Sequence, residues 1–316
     1  MGYDLVVLGD LVADLIVPVE RLPLYPNQHG WAEGIFVEPG GAGNVLVAAR
    51  RMLLATAALG QFGADHYGAE MRRMLEAEGV DMTHAAVCED RATVLCIVLA
   101  DTASQHVYLG VKDGIGLWPF MPQWHAIIRD ARALYTDGYT LRDVLAPDEL
   151  LAALATAREA HVPVFFDPGP SVEFVPRPTL NHAIAASDVV LIAEPEAELL
   201  YPGQPHAAAA RHLLALGPTM VVLKLGPRGC LLATSDGITT VPGFAVDVID
   251  TVGAGDSFAA AFIAGWLRGG GPRDCAVLAN AMGALVATQR GAGTRIPPRD
   301  RLLDLLSDQP AALALA

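Results

Sequence analysis

IDTVGAGDSF, residues 249–258, combines a glycine-rich turn with an aspartate and continues into the apolar stretch FAAAFIAGWL, residues 258–267. A turn of this kind at the start of a helix exposes backbone N–H groups, which favour an anion. Asp256 would repel a bound phosphate unless it serves the chemistry as a general base that accepts a proton from an attacking hydroxyl. The alternative is that Asp256 is an ordinary helix N-cap. The turn alone leaves both interpretations open.

Composition excludes several classes of protein. The 316 residues fit one large domain, or a large domain with a small appendage. The net charge of −14 opposes the phosphates of nucleic acid and of anionic membranes, so neither is an expected partner. The cysteines lack C-x-x-C spacing and lie in apolar sequence, which favours reduced, buried thiols; they are Cys88, Cys96, Cys230 and Cys275.

The sequence predicts a cytoplasmic protein. Its first residues, MGYDLVVLGD, have no basic region before the apolar run, so we expect no signal peptide. The longest apolar runs, at 258–267 and 276–288, are shorter than the roughly 20 residues that a membrane span needs. We expect them to be buried helices whose alanines allow close packing.

Apolar strands alternate with helical patterns along most of the chain. Residues 66–79 have the helical pattern, with Gly79 as its end, and a second helix begins at Pro147. The predicted strands are LVVLG (5–9), ALYTDG (133–138), VPVFFD (162–167), DVVLIA (188–193) and MVVLKLG (220–226). Buried strands that alternate with helices indicate a parallel sheet covered on both faces, with ligands beyond the carboxyl ends of the strands.

Two segments interrupt this pattern because they contain strands without helices. They are residues 11–39 and 88–112, and we predict that they pair as a small β-sheet, a lid outside the main domain. The α/β core is then formed by residues 1–10, 40–87 and 113–316.

Three further stretches carry a family resemblance. PGGAGNVLVAARRM (39–52) is a second glycine turn that leads into a helix, and GQFGADHYG (60–68) follows it. LGDLVADLIV places Asp10 and Asp14 directly after the first strand. Together with residues 249–258, these stretches strongly resemble the ribokinase-like, or PfkB-type, carbohydrate kinases over nearly the whole chain. The resemblance implies a doubly wound, mostly parallel sheet with a β-sheet lid.

The resemblance also implies roles for individual residues. Asp256 is similar to the catalytic base of the family, and Gly253, Ala254 and Gly255 are similar to its anion hole. The implied acceptor-binding residues are Asp14, Gly41 and Asn44, assisted by Asp10, for which capping of the strand end is the alternative. The implied ATP-binding residues are Lys224, Gly226, Gly229 and Asn280. For Lys224, a side chain that extends from the strand end to solvent is the favoured alternative, and for Asn280 it is a bond to a neighbouring loop.

The chain departs from the family pattern at the metal positions. Where the family has N-x-x-E for magnesium, this chain reads AEPE, which leaves Glu196 and places Ala193 at the asparagine position, so metal handling shifts to water or to Glu194. The glycine turn GGAGN is one residue shorter than the common form, which leaves the placement of Asn44 open. Asp250 resembles a residue associated with a monovalent cation such as K⁺; structural support of the turn is the alternative.

We therefore predict an ATP- and Mg²⁺-dependent kinase that phosphorylates an alcohol group of a neutral sugar. A neutral acceptor follows because the lid segments contain few basic side chains, namely Arg21, Arg91 and Lys112 besides histidine, although Arg177 of the core could reach the pocket. The alternatives are a nucleoside kinase, with Trp31, Phe36 and Tyr108 stacking on a base, and a catalytically silent sugar-binding regulator. A homodimer joined through the lid is the candidate assembly.

Overall fold

The computed structural model describes residues 2–27, 29–103, 105–111, 113 and 116–316. The strands are β1 (Leu5–Leu8), β2 (Leu11–Pro18), β3 (Phe36–Gly41), β4 (Thr56–Leu59), β5 (Gln61–Gly63), β6 (Ala86–Cys88), β7 (Leu95–Ala100), β8 (His106–Val111), β9 (Leu134–Asp137), β10 (Val164–Asp167), β11 (Val189–Ala193), β12 (Met220–Lys224), β13 (Cys230–Thr234) and β14 (Gly237–Val241). The helices are α1 (Ala42–Arg51), α2 (His66–Ala77), α3 (Trp124–Arg129), α4 (Pro147–Glu159), α5 (Arg177–Ala185), α6 (Glu194–Leu200), α7 (His206–Leu214), α8 (Ala254–Leu267), α9 (Pro272–Val286), α10 (Arg299–Leu305) and α11 (Pro310–Leu313).

The main sheet has the strand order β14-β13-β12-β11-β10-β9-β1-β4. The strands that run parallel to one another are β12, β11, β10, β9, β1 and β4. Strands β13 and β14 extend the sheet as an antiparallel edge. Strands β1, β4, β9 and β10 are buried along their whole length, as expected for a parallel sheet that is covered on both faces. The carboxyl ends of the parallel strands therefore meet at one edge.

The helices cover both faces of the main sheet. Along β1, Leu5 and Val7 pack in the core cluster of α1, α2, α8, α9, α10 and α11, whereas Val6 and Leu8 pack in the cluster of α3 to α7. This division follows from the alternation of side chains along a strand. The predicted doubly wound, mostly parallel fold is confirmed.

A small sheet with the order β3-β2-β7-β8 stands beside the main sheet. Its central strands β2 and β7 are parallel, and β3 and β8 flank them in antiparallel orientation. The sheet thus joins two separate segments of the chain. Strand β3 begins at Phe36 and continues to Gly41, two residues beyond the predicted segment 11–39, and leads directly into α1.

Helices α8 and α9 form the apolar pair that the sequence predicted. A Cβ added at Gly265 would lie 3.1 Å from Cys275 Sγ, so the glycine is what allows the two helices to approach closely. Over the described residues, none of the helices has both the length and the apolar character that crossing a membrane requires. The four cysteines are unpaired; Cys230 and Cys275 are buried, and Cys88 and Cys96 are partly buried.

Candidate active site

The glycine turn at 253–256 opens helix α8. Gly253 occupies the N-cap position with φ of 72°, a left-handed conformation that glycine adopts without strain. Asp256 lies in the first turn of the helix and is not the N-cap, so the capping alternative is wrong. The N–H of Ala254 donates to the carbonyl of Thr251 at 3.2 Å. Within the first turn, the N–H groups of Gly255 and Asp256 have no carbonyl partner inside the helix.

Asp256 is held by an asparagine from the other glycine turn. Asn44 Nδ2 donates to Asp256 Oδ2 at 2.9 Å, and Asn44 Oδ1 accepts from the N–H of Gly293 at 2.8 Å. Both polar ends of the Asn44 amide are therefore engaged, which fixes its orientation. The shorter glycine turn does not displace Asn44 from Asp256, although the two residues are 212 positions apart in the chain.

The environment of Asp256 favours a carboxyl group that exchanges a proton near neutral pH. Burial raises the pKa of Asp256 to about 6, and the negative charge of Asp167 adds to this effect, whereas the Asn44 bond and the Lys224 ammonium oppose it. A general base works best when its pKa lies near the working pH.

The glycine turn between β3 and α1 packs against Asp14 and Asp10. A Cβ added at Gly40 would lie 2.3 Å from the Asp14 carboxylate, so only glycine fits beside that side chain. Gly41 has φ of 52°, and a Cβ there would lie 2.9 Å from the backbone oxygen of Asp10. Sequence reasoning named Gly41 and omitted Gly40, although the two glycines are adjacent.

Asp14 is buried at the mouth of this turn, with 8% of its surface exposed. Burial, together with the charges of Asp256 and Glu38, raises its pKa to about 7. Asp14 lies on β2 directly opposite Glu38 on β3. A carboxylate in this position gains from any ligand that donates hydrogen bonds to it.

Asp10 belongs to a second group of carboxylates at the end of β1. Burial raises its pKa to about 8, followed by the charges of Asp137, Asp143 and Asp14. Asp137 ends β9, the neighbour of β1, and its Oδ1 accepts from both the N–H and the Oγ1 of Thr140 at 2.8 Å. Sequence reasoning missed Asp137 and Asp143; the signal for Asp137 was its place at the carboxyl end of a buried parallel strand.

Lys224 lies at the end of β12 and points inward. Its Nζ is 2.6 Å from Asp167 Oδ2, and its side chain is only 13% exposed, so the prediction that it extends to solvent is wrong. A Cβ added at Gly255 would lie 3.5 Å from the same Nζ. The ammonium group therefore lies beside the turn that carries Asp256.

Of the other residues predicted to bind ATP, Gly226 lies in an open turn, whereas Gly229 and Asn280 contact a neighbouring loop. Gly226 has φ of 59° and is exposed, with space around it for an approaching ligand. Gly229 is buried against the backbone of Val241 and Gly243, where a Cβ would lie 2.1 Å from the Val241 oxygen. Asn280 Nδ2 donates to the carbonyls of Val241 and Pro242, at 3.3 and 3.1 Å, which agrees with the loop-bonding alternative.

Glu196, the residue predicted to handle the metal, is buried in the first turn of α6. Its Oε2 accepts from the N–H of Ala193 at 2.7 Å, and burial together with the charge of Asp167 raises its pKa. Glu194 instead contacts Arg228 and His206 on the exposed side, so it does not replace the missing asparagine. The described part of the chain contains no cluster of three or more His, Cys, Asp or Glu suited to a metal ion.

Asp250 does not fit a cation site, because N–H donors occupy its carboxylate. Oδ1 accepts from the N–H of Val252 and lies 2.8 Å from His106 Nε2, while Oδ2 accepts from the N–H of Gly291 at 2.8 Å. Burial alone would raise the pKa of Asp250, but the hydrogen bonds from His106, Val252 and Gly291 together lower it. These contacts favour the alternative that Asp250 supports the turn.

Comparison with known proteins agrees with this arrangement. The model of the pfkB family of carbohydrate kinases matches residues 3–299. The chain is 30% identical to an ATP-dependent ribose-1-phosphate kinase of Halopiger xanaduensis, over 95% of this chain and 97% of that protein. It is 24% identical to a nucleoside kinase of Methanothermobacter thermautotrophicus, over 93% and 92% of the two chains.

A solved structure gives the same result for the fold. The structure of Arabidopsis thaliana ribokinase complexed with ribose and ATP superposes with a TM-score of 0.83 at 26% identity, over 97% of this chain and 99% of that chain. The family match extends over both glycine turns, the main sheet and the small sheet. The chain therefore belongs to the pfkB family of carbohydrate kinases.

Proposed function

We propose that the protein transfers the γ-phosphoryl group of ATP to an alcohol group of a neutral sugar. The observation that carries the proposal is the contact between Asn44 and Asp256, which joins the two glycine turns at the carboxyl edge of the sheet. Asp256 takes the proton of the attacking hydroxyl, and the N–H groups of Gly255 and Asp256 stabilise the charge that develops on the phosphoryl group. Magnesium bound with ATP would supply further charge neutralisation, and Glu196 is the residue of this chain that would contact it.

In this proposal, the acceptor lies between Asp14 and the turn at Gly40 and Gly41. Asp14 accepts hydrogen bonds from acceptor hydroxyls, and Asp10 extends the same acidic surface. ATP lies along the exposed turn at Gly226, with Asn280 and Gly229 supporting the loop beside it. The small sheet acts as the lid, and its closure excludes water so that the phosphoryl group reaches the sugar. An ATP-dependent enzyme of this kind, with its cysteines reduced, belongs in the cytoplasm.

The charges around the acceptor site support a neutral substrate. The guanidinium of Arg177 donates to Leu200 O at 3.0 Å and lies over the Tyr201 ring at 4.7 Å, so this residue is engaged away from the acidic surface. Arg295 is paired with Glu38 at 3.0 Å, and Arg91 lies over the Trp118 ring. Lys112, the remaining lysine of the lid segments, lies outside the described residues. A dianionic acceptor would meet carboxylates first, and Arg177, Arg295 and Arg91 are already engaged by other groups.

A screen of ATP consumption tests the acceptor class. We expect ADP release with a neutral pentose or ketose at equal acceptor concentration, and at least about tenfold weaker kcat/KM with ribose 1-phosphate, hexose phosphates and sugar acids. Clear preference for a sugar phosphate would overturn the neutral acceptor. Release of no ADP with any of the sugars or nucleosides would favour the catalytically silent regulator instead.

A nucleoside acceptor is the second candidate. It is favoured by the similarity to the nucleoside kinase and by Trp31 of the lid segment, which is 88% exposed and available to stack on a base. The ring of Phe36 is covered by the Arg295 guanidinium at 4.3 Å, and Tyr108 stacks against His106, so these two aromatic residues already have packing partners. Nucleosides in the same screen decide between the two acceptors.

We also propose a homodimer through the small sheet. Strand β8 is an edge strand, and Val107, Tyr108 and Leu109 are exposed on it. An exposed apolar edge favours pairing with a second copy of the sheet. We expect sedimentation at micromolar concentration to give a dimer, and Leu109→Lys to give a monomer, whereas Leu53→Lys, a change at an exposed leucine outside the sheet, should leave the dimer intact. A monomeric wild type would overturn this assembly.

A further inference from the structure

Lys224 is a buried cation in a position that is unusual for a lysine. It ends the buried strand β12, its Nζ contacts Asp167 at 2.6 Å, and the predicted anion-binding turn lies beside it at Gly255. Lysine side chains seldom remain buried without a partner, because an ammonium group loses much of its hydration there. The surroundings of Lys224 must therefore stabilise the charged form.

Carboxylates on three elements provide that stabilisation. Burial alone would lower the pKa of Lys224, but the charges of Asp167 and Glu196, with the Asp167 hydrogen bond and the Asp256 charge, hold it above its ordinary value. The ammonium is therefore a permanent positive charge among these groups at neutral pH. Asp167 is in turn oriented, because its Oδ1 accepts from the N–H of Gly169 at 3.2 Å.

The same carboxylates are the groups that a protein-held divalent cation would require. Asp167 ends β10, and Glu196 lies in the first turn of α6, directly after the neighbouring strand β11. Ala193, which ends β11, lacks the side-chain oxygen of the asparagine that the family pattern places there. With the ammonium 2.6 Å from Asp167, a second cation held by this carboxylate would face a like charge at short range. These residues do not fit a protein-held divalent cation while Lys224 is present.

We propose that Lys224 takes the place of such a cation and supplies its positive charge to the anion-binding turn from the chain itself. This inference rests on the proposed phosphoryl transfer at the same turn. The enzyme then needs only the metal that arrives with ATP. Removal of the ammonium leaves Asp167 and Glu196 without compensation, and the vacated space becomes a site for a divalent cation.

Binding of Mn²⁺ to the nucleotide-free protein, followed by electron paramagnetic resonance, tests the replacement directly. Wild type should leave the Mn²⁺ signal of free solution nearly unchanged at micromolar metal. Lys224→Met, which keeps the length of the side chain without its charge, should bind about one Mn²⁺ per chain. The double variant Lys224→Met with Asp167→Asn should lose that site.

Two controls separate a specific site from unmasked surface charge. Arg73→Met removes the cation from the exposed pair with Glu70 and should bind no Mn²⁺. Lys224→Arg keeps the positive charge and should also bind no Mn²⁺. If Lys224→Met does not fold by circular dichroism, Lys224→Gln replaces it in the same measurement.

The kinetic counterpart is the response to free Mg²⁺ at saturating MgATP. Wild type should show no further activation, whereas Lys224→Met should lose about tenfold or more in kcat and recover part of it as free Mg²⁺ rises. Equal Mn²⁺ binding by wild type and Lys224→Met, or none by either neutral variant, would overturn the proposal. Because the Mn²⁺ measurement needs no turnover, an inactive wild type would overturn the proposed function and not this inference.

Discussion

Asp256→Asn is expected to lower kcat by about a hundredfold or more, the scale of general-base catalysis, while the protein remains folded. An amide has nearly the shape of the carboxyl group but cannot accept the proton of the attacking hydroxyl. The start of helix α8 should be unaffected, because Gly253 and not Asp256 is its N-cap. Steady-state ADP release and thermal unfolding of the two proteins measure the two parts of this expectation.

The chain contains a matched control for this variant. Asp274 occupies the same position in the first turn of α9 as Asp256 does in α8, third from the helix start in both. Asp274→Asn changes the charge near a helix N-terminus without touching the site and should leave kcat close to that of wild type. Near-normal turnover in a folded Asp256→Asn protein would contradict the base assignment.

The pH dependence of wild type gives independent evidence on the same residue. A base acts only in its deprotonated form, and burial has raised the pKa of Asp256 to about 6. The rate kcat/KM should therefore fall as the pH decreases through about 6 and level off above that value. In Asp256→Asn, the residual rate should lack this acidic limb.

Asp14→Ala is expected to raise the acceptor KM by about tenfold or more, with the nucleotide Kd nearly unchanged. The buried Asp14 carboxylate on β2 offers charge-assisted hydrogen bonds to acceptor hydroxyls. Lys224 ends β12 and Gly226 lies in the turn after it, where we propose that the nucleotide binds. Initial rates at varied acceptor, together with calorimetry of nucleotide binding, separate the two effects. An equal loss of nucleotide affinity would assign Asp14 a structural role.

A lid residue outside the pocket provides the comparison for Asp14. Glu33 lies in the same predicted lid segment, is 71% exposed, and pairs only loosely with Arg290 at 3.4 Å. Glu33→Ala should leave both constants near the values of wild type, since exposed ion pairs contribute little. Asp14→Asn keeps the side-chain shape, so a KM close to that of Asp14→Ala would assign the effect to charge and not to lost packing.

The sequence was sufficient for the fold, but not for the meeting of the two glycine turns. Gly41 ends β3 of the small sheet and leads directly into α1, whereas the turn at 253–256 opens α8 after a loop that follows β14. The contact between Asn44 and Asp256 therefore depends on how α1 packs against α8. The pairing of Lys224 with Asp167 could not be predicted from the sequence, because it depends on the register of β12 relative to β10 and on the direction of one long side chain. No local pattern encodes that distance.

The sequence also failed to indicate the roles of Asp137 and Asp250, for a similar reason. Asp137 is the last residue of a buried strand, a place where an aspartate often caps the strand end, so its type and position alone did not distinguish a site residue. Asp250 carries a family resemblance, but the His106 side chain that engages it comes from a strand 144 residues earlier in the sequence. Local patterns reveal which residues lie at the edge of the sheet, whereas their partners are set by packing between distant segments.

Contacts at the two outer strands of the small sheet connect it to the loops around the turn. On β3, Glu38 accepts hydrogen bonds from the N–H and Oγ1 of Thr294, and on β8, His106 contacts Asp250. The same loops are linked to the turn, since Asp250 lies three residues before Gly253 in the chain. If the sheet opens far enough to exchange ligands, these largely buried polar contacts must part in every cycle. The rate at which these contacts separate then sets an upper limit on kcat, however fast the chemical step becomes.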